Sequence, residues 1–294
     1  MSRPASACPS QHLGATLHQA SNPEAFTFEY RTYDDIDESR QRWSTWQSVE
    51  PLCRGPEPRP AWVQTSAGAI DTELGILKTG KEADVFLIER ADPHAPPDVA
   101  VMAAKRYRSP EHSHFHRSAD YTEGRKVRDS REMRAMARKT DFGRAVAAGQ
   151  WAVAEWNALV RLWKAGLAVP YPVQIDGTEI LMEWISHDGE TAPRLAQTRP
   201  DPATAARWFE QVRDALLMLA GHGLVHGDLS AYNILVADDR LVFIDLPQVV
   251  DLVANPRGAD LLLRDCTNVV AWFRRRGLEV DEQEVYAEVL AAAW

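Results

Sequence analysis

Cysteine is scarce in this chain: three in 294 residues, at Cys8, Cys53 and Cys266, outside any C-x-x-C pair. Neither a disulfide framework nor a cysteine zinc site is expected, and a reducing cytoplasm is the expected compartment. No apolar run approaches the ~18 residues that cross a bilayer, so no membrane partner is expected. Residues 1–20 carry one early arginine, Arg3, and no continuous apolar stretch, which argues against a signal peptide. Basic residues are not in excess either. Lys and Arg number 33 against 42 Asp and Glu, a net charge of −9, so bulk attraction to nucleic acid is not expected. What remains is 45% hydrophobic and 26% charged. That is the balance of a soluble globular protein with one large domain or two ordinary ones.

The charge is unevenly placed. From Lys105 to Arg144, 12 Lys or Arg face 6 Asp or Glu, so this segment is +6 and the remainder −15. Either it is a solvated helix or loop, or it is a surface that meets the phosphates of a nucleotide or RNA. Within it, His112, His114 and His116 alternate as H-x-H-x-H. A solvated loop is the better reading than zinc, because no Cys or carboxylate stands at ligand spacing.

Residues 1–24 read as a flexible tail and 25–73 as an extension and linker. In the latter, Tyr33 to Trp46 suggest a short helix. The four prolines of Glu50 to Pro60 exclude a helix or interior strand. Strand patterns follow at Gly75–Leu77, Asp84–Glu89 and Val99–Lys105. A helix is expected over Gln150 to Lys164, with Gly166 just past its end. Strands are expected near Val173–Ile175 and Glu179–Ile185. A second helix carries Trp208, Phe209, Val212, Ala215, Leu216 and Leu219 on one face and ends at Gly221. Then come a loop from His226 to Asn233, a strand pair, and a helical C-terminus. The pattern predicts an α+β fold of two lobes, residues 74–184 rich in strands and 185–294 mostly helical, with a cleft between them. Trp151, Trp163 and Trp208 read as core; Trp43, Trp46 and Trp62 as anchors of the extension.

The most informative stretch is His226-Gly227-Asp228-Leu229-Ser230-Ala231-Tyr232-Asn233, followed by Phe243-Ile244-Asp245. Phosphoryl transfer needs a carboxylate beside the attacking hydroxyl, hard oxygen ligands for a metal ion, and cations on the phosphates. Asp228 suits the first task, and Asn233 and Asp245 the second. The spacing of Asp228 and Asn233 matches the kinase catalytic loop. Ser230 lacks the context of a hydrolase nucleophile and reads as a loop-ordering hydroxyl. Asp141-Phe142-Gly143 spells a kinase metal motif but precedes the catalytic loop, so it is read as coincidence.

These pieces, in this order, resemble the RIO family of atypical serine/threonine kinases, in its Rio1-like, bacterial-type branch. The matching residues are Lys78-Thr79-Gly80-Lys81-Glu82-Ala83, where the family has S-T-G-K-E-A. They continue with Lys105, HGDLSAYN, Ile244-Asp245-Leu246-Pro247-Gln248, and Arg264-Asp265-Cys266-Thr267-Asn268-Val269. The resemblance runs from about Leu74 to Phe273. It implies a bilobal protein-kinase-like fold that binds ATP with Mg²⁺ or Mn²⁺. Thr79, Gly80, Lys81, Glu82 and Ala83 would then lie over the phosphates. Lys105 would contact the phosphates, paired with Glu155. Met182, Glu183 and Ile185 would form the hinge that reads adenine. The implied acceptor is a serine or threonine of a protein, this chain itself included. Rival readings are an ATPase switch touching a ribosomal or RNA partner through Lys105 to Arg144, a small-molecule phosphotransferase, and a pseudokinase.

Overall fold

The run Val99–Tyr107 is β4, and strand alternation sorts its side chains. Met102 and Ala104 go to one face of a sheet, and Ala103, Lys105 and Tyr107 to the other. In this computed structural model the described residues are 36–94, 99–108 and 141–294, with the backbone alone for 141–146. The tail, the histidine tract and most of the basic segment therefore lie outside the described residues. Five more strands complete an antiparallel sheet: β1 (Gln41–Trp43), β2 (Ile70–Thr79), β3 (Ala83–Ala91), β5 (Pro172–Asp176) and β6 (Glu179–Glu183). Their order is β1-β2-β3-β4-β6-β5.

One face of this sheet packs Ile88, Met102, Ala104, Val173 and Leu181 against Trp46, Tyr171 and Trp62. Trp46 and Trp62 of the extension thus close a core. On the same face Arg90 is fully buried, its Nε and Nη2 donating to the Asp71 carboxylate (2.6 and 2.9 Å) and Nη1 to Gln174 Oε1 (3.0 Å).

Two expectations for the N-terminal region are corrected. Gln41–Trp43 is not helical but an edge strand, paired with Ile70–Thr72. A short isolated helix is marginal in water, whereas an existing sheet edge supplies backbone partners at once. Residues 50–60 hold one 3₁₀ turn, Pro51–Cys53, which a proline at its first position tolerates, and are otherwise irregular, yet they are docked rather than a free linker. The Gly55 N–H donates to the Val173 carbonyl (2.8 Å), and the Tyr171 hydroxyl to that of Pro56 (2.9 Å). A Cβ at Gly55 would fall 2.1 Å from the Pro172 carbonyl, so only glycine admits this approach.

Helix α1 (Asp141–Lys164) begins before the expected Gln150, and Asp141–Gly143 form its first residues. Its buried stripe reads Ala148, Ala152, Glu155, Trp156, Leu159 and Leu162, an apolar face interrupted by one carboxylate. The second lobe is built on α2 (Pro202–Gly221), α3 (Gly258–Arg274) and α4 (Glu282–Ala291). Asp201 caps α2 by accepting from the N–H groups of Ala203 (2.9 Å) and Thr204 (3.0 Å). Short strands complete it: β7 (Ser186–His187) with β8 (Glu190–Thr191), β9 (Leu224–Val225) with β12 (Val250–Asp251), and β10 (Ile234–Ala237) with β11 (Arg240–Phe243). Trp208 is core, as its helical spacing predicts. Among the described residues no helix is long and apolar enough to cross a membrane.

Candidate active site

Alternation along β4 aims Lys105 out of the sheet toward the second lobe, where three elements meet it. Its ammonium donates to Glu155 Oε1 on α1 (2.7 Å) and to Asp245 Oδ1 just after β11 (2.8 Å). Two residues further along the same face, the Tyr107 hydroxyl donates to Glu155 Oε2 (2.5 Å), and the Leu246 N–H to Oε1 (3.3 Å). Both oxygens of a carboxylate buried on an apolar stripe are thereby satisfied, as burial demands. Burial alone would lower the Lys105 pKa, but Asp245 and Glu155 outweigh it and hold the ammonium well above the usual lysine value. Burial and the Glu155 charge push Tyr107 well up. Asp245 is drawn down to about 2, chiefly by the Lys105 charge and against the cost of burial.

The β10–β11 hairpin explains why Asn233 and Asp245 share one end of the cleft. Ile234 pairs with Phe243, so the residues flanking the two strands meet, and the Ile244 N–H donates to the Asn233 carbonyl (3.0 Å). Asp245 then takes φ +67°, a left-handed conformation that aspartate tolerates better than most residues. The Asn233 side-chain amide donates to the Asp228 carbonyl (2.8 Å), which leaves its oxygen as an acceptor. His226 is fully buried between these pieces. Its Nε2 lies 3.2 Å from the Ile244 carbonyl, and the Asp228 N–H donates to Nδ1 at 3.4 Å. The network therefore assigns the proton to Nε2.

Asp265 on α3, quoted in a motif but given no role from the sequence, holds this loop from below. Fully buried, it accepts from the Gly227 N–H through Oδ2 and from the Leu229 N–H through Oδ1, both at 2.8 Å. Gly227, the first of these donors, takes φ +83°, open only to glycine without strain. Asn268 donates to the Leu229 carbonyl (3.0 Å), and Arg264 to that of Gly227. Burial raises the Asp265 pKa, opposed by His226 and the two backbone donors. The signal available in the sequence was a carboxylate on the apolar face shared by Leu261, Leu262 and Val269.

The expected phosphate loop is the β2–β3 turn. Gly80 donates to the Ala83 carbonyl (3.0 Å), and a Cβ on it would sit 2.8 Å from that oxygen. Thr79 and Lys81 are exposed, Glu82 is half-buried and Ala83 is buried. Met182 pairs with Ala103, on the face that lines the cleft. Glu183 exchanges bonds with Tyr171: its N–H donates to the Tyr171 carbonyl (2.8 Å) and its Oε2 accepts from the Tyr171 N–H (3.0 Å). Ile185 follows and accepts from the Ala192 N–H (3.0 Å). Among the described residues no cluster of three His, Cys, Asp or Glu side chains is gathered as a metal-ligand set.

Comparison with known proteins identifies the family of the chain. A family model for the RIO domain matches residues 97–285. The chain belongs to the RIO family. It is 38% identical over 220 residues to the RIO-type serine/threonine-protein kinase Rio1 of Haloferax volcanii, covering 74% of this chain and 69% of that protein. A RIO-type kinase of the same name from Methanocaldococcus jannaschii is 29% identical over 214 residues, covering 72% and 67%. Among solved structures it resembles the Rio2 kinase of Chaetomium thermophilum, in a complex described as ADP/Mg²⁺-phosphoaspartate. The TM-score is 0.50 at 21% identity, over 75% of this chain and 65% of that one, just under two thirds of its length. The RIO fold is the bilobal, kinase-like one, and the two lobes described above follow it.

Proposed function

We propose that this chain is an ATP-dependent serine/threonine protein kinase of RIO type. The observation that carries the reading is Lys105 joined to Glu155 and Asp245 across three elements, beside a loop that presents Asp228 and Asn233. We divide the chain at the hinge into lobes 74–184 and 185–294, with the preceding extension docked on the first.

ATP enters between the sheet and the hairpin, with adenine read by backbone groups of Glu183 and Ile185 beside Met182. Thr79, Gly80, Lys81, Glu82 and Ala83 cover the phosphates, and Lys105 clamps them as a point charge held in place by Glu155. Asp228, whose side chain is 35% exposed, accepts the proton of the attacking hydroxyl and orients it in line. Asn233 and Asp245 offer an amide oxygen and a carboxylate, which fit a hard cation that keeps water and phosphate oxygens in its shell. Mg²⁺ or Mn²⁺ bound there would neutralise charge on the phosphate oxygens. The left-handed turn at Asp245 and the amide bond that orients Asn233 keep both oxygens toward the cleft.

The test is transfer of label from γ-labelled ATP to a protein acceptor or to the chain itself, wild type beside Asp228→Ala. Transfer should fall by roughly 10²–10⁴-fold in the variant; equal labelling would remove Asp228 from its role. Phosphate release without a labelled acceptor, also lost in the variant, would replace the kinase reading with the ATPase switch.

A further inference from the structure

A second lysine stands on the cleft face of the sheet. In the β2–β3–β4 register Lys78 lies opposite Val85, and Val85 lies opposite Lys105. Residues directly opposed across antiparallel strands point to the same side, so the three form one row with a lysine at each end. Val85 packs on the cluster that contains Ala83, Ala103 and Met182, which fixes the row's side as the cleft.

A β-bulge makes this happen. The pairing steps from Ile76–Phe86 to Lys78–Val85 and skips Leu77. Without the extra residue, Lys78 would oppose Asp84 and its side chain would leave by the other face.

The two lysines differ in how they are neutralised. Lys105 meets two carboxylates at ion-pair distance. Lys78 makes no ion pair within 4 Å among the described residues, and its electrostatic neighbours are Arg194, Asp245 and Lys105. Lys78 is exposed at this face, yet partial desolvation and the Arg194 charge lower its pKa, with Asp245 pulling the other way. Arg194 donates to the Tyr232 carbonyl, a neutral partner, and makes no ion pair among the described residues. A polyanion entering between the sheet and the loop relieves this repulsion, and a neutral ligand does not.

We propose that Lys78 is a further phosphate-binding lysine, contacting the nucleotide's phosphates from β2 while Lys105 does so from β4 and Lys81 covers them from the turn. This rests on the reading of the cleft as a nucleotide site. Titration calorimetry on the full chain with Mg²⁺, using ATP, ADP and adenosine as separate probes, tests it. Lys78→Ala should weaken ATP and ADP binding by about tenfold, the scale of one lost charged hydrogen bond, and leave adenosine affinity unchanged. Lys78→Arg should recover most of the loss. Wild-type affinity for ATP in Lys78→Ala would overturn the inference and leave the nucleotide reading standing. An equal loss for adenosine would also overturn it, because the side chain would then be supporting the fold. If the wild-type chain bound neither ATP nor adenosine, the nucleotide reading would fail and the inference with it.

Discussion

Two cations are buried on opposite faces of one sheet and are built to different plans. Arg90 has no exposure, spends its guanidinium on Asp71 and Gln174, and joins only strands of the sheet. Lys105 is 13% exposed and Asp245 is 40% exposed, and their pair, with Glu155, connects the sheet to a helix and to the hairpin of the other lobe. The first arrangement is closed: each of the three guanidinium nitrogens is bonded, and nothing can approach. The second is open toward the cleft, so an incoming anion can compete for the ammonium and a cation for the carboxylate. A buried ion pair is therefore not a functional site by its charge alone. Access and the number of elements joined make the difference.

The largest effect should come from breaking the closed pair. Arg90→Ala leaves the buried Asp71 with only Arg42, at 3.7 Å, as an ion-pair partner and should cost about 3–5 kcal/mol in urea unfolding, with activity per folded molecule retained. A cost below about 1 kcal/mol would place this pair with surface salt bridges and erase the contrast. Breaking the open pair should reverse the pattern. Lys105→Ala should lower kcat by roughly 10²–10³-fold, about 3–4 kcal/mol of barrier. Its unfolding cost should be smaller than that of Arg90→Ala, because Asp245 can reach water.

Asp265→Asn sharpens the comparison from the second lobe. An amide presents one acceptor oxygen where the carboxylate presents two, so the N–H of Gly227 or Leu229 is left unpaired. A loss of about 1–3 kcal/mol is expected, with a fall in kcat as the Asp228 loop loosens. The smallest effect belongs to Glu179, a buried carboxylate at the sheet margin whose partners Arg42 and Arg106 are partly exposed. Burial raises its pKa, but hydrogen bonds from Arg42 and Arg106 outweigh this and hold it below the ordinary 4.5. A depressed carboxylate contributes stability above its unfolded pKa and loses it as pH falls through the folded value. The stability gap between wild type and Glu179→Gln should be full at neutral pH, under about 1 kcal/mol, and should close during acid titration. A gap that widened in acid would reverse the assigned direction.

Much of the cleft was legible because its signals are local. The alternation of Val99–Lys105 marks a strand, and the carboxylate at Glu155 interrupts an otherwise apolar helical stripe. Asp228, Asn233 and Asp245 stand at spacings that a loop and a hairpin then close. The misreadings share a cause. Gln41–Trp43 became a strand, and residues 50–60 became docked chain, because their partners at Ile70–Thr72 and Tyr171–Val173 are remote in sequence. Asp265 lies 36–38 residues beyond the backbone groups it holds. No local pattern states that distance.

The order of residue types along the chain, with periods of 2 in strands and 3.6 in helices, determined by itself that there would be two lobes and which side chains are the candidates for the chemistry. Those periods arise from backbone geometry within a few residues and need no knowledge of what lies across the cleft. Tertiary structure alone decided which face each side chain reaches and what it meets there. One skipped residue at Leu77 turns Lys78 into the cleft, a left-handed Asp245 sets a carboxylate against Lys105, and Asp265 is placed under the loop that presents Asp228. Each depends on the pairing of segments far apart in the chain, and such pairing is set only when the whole core packs.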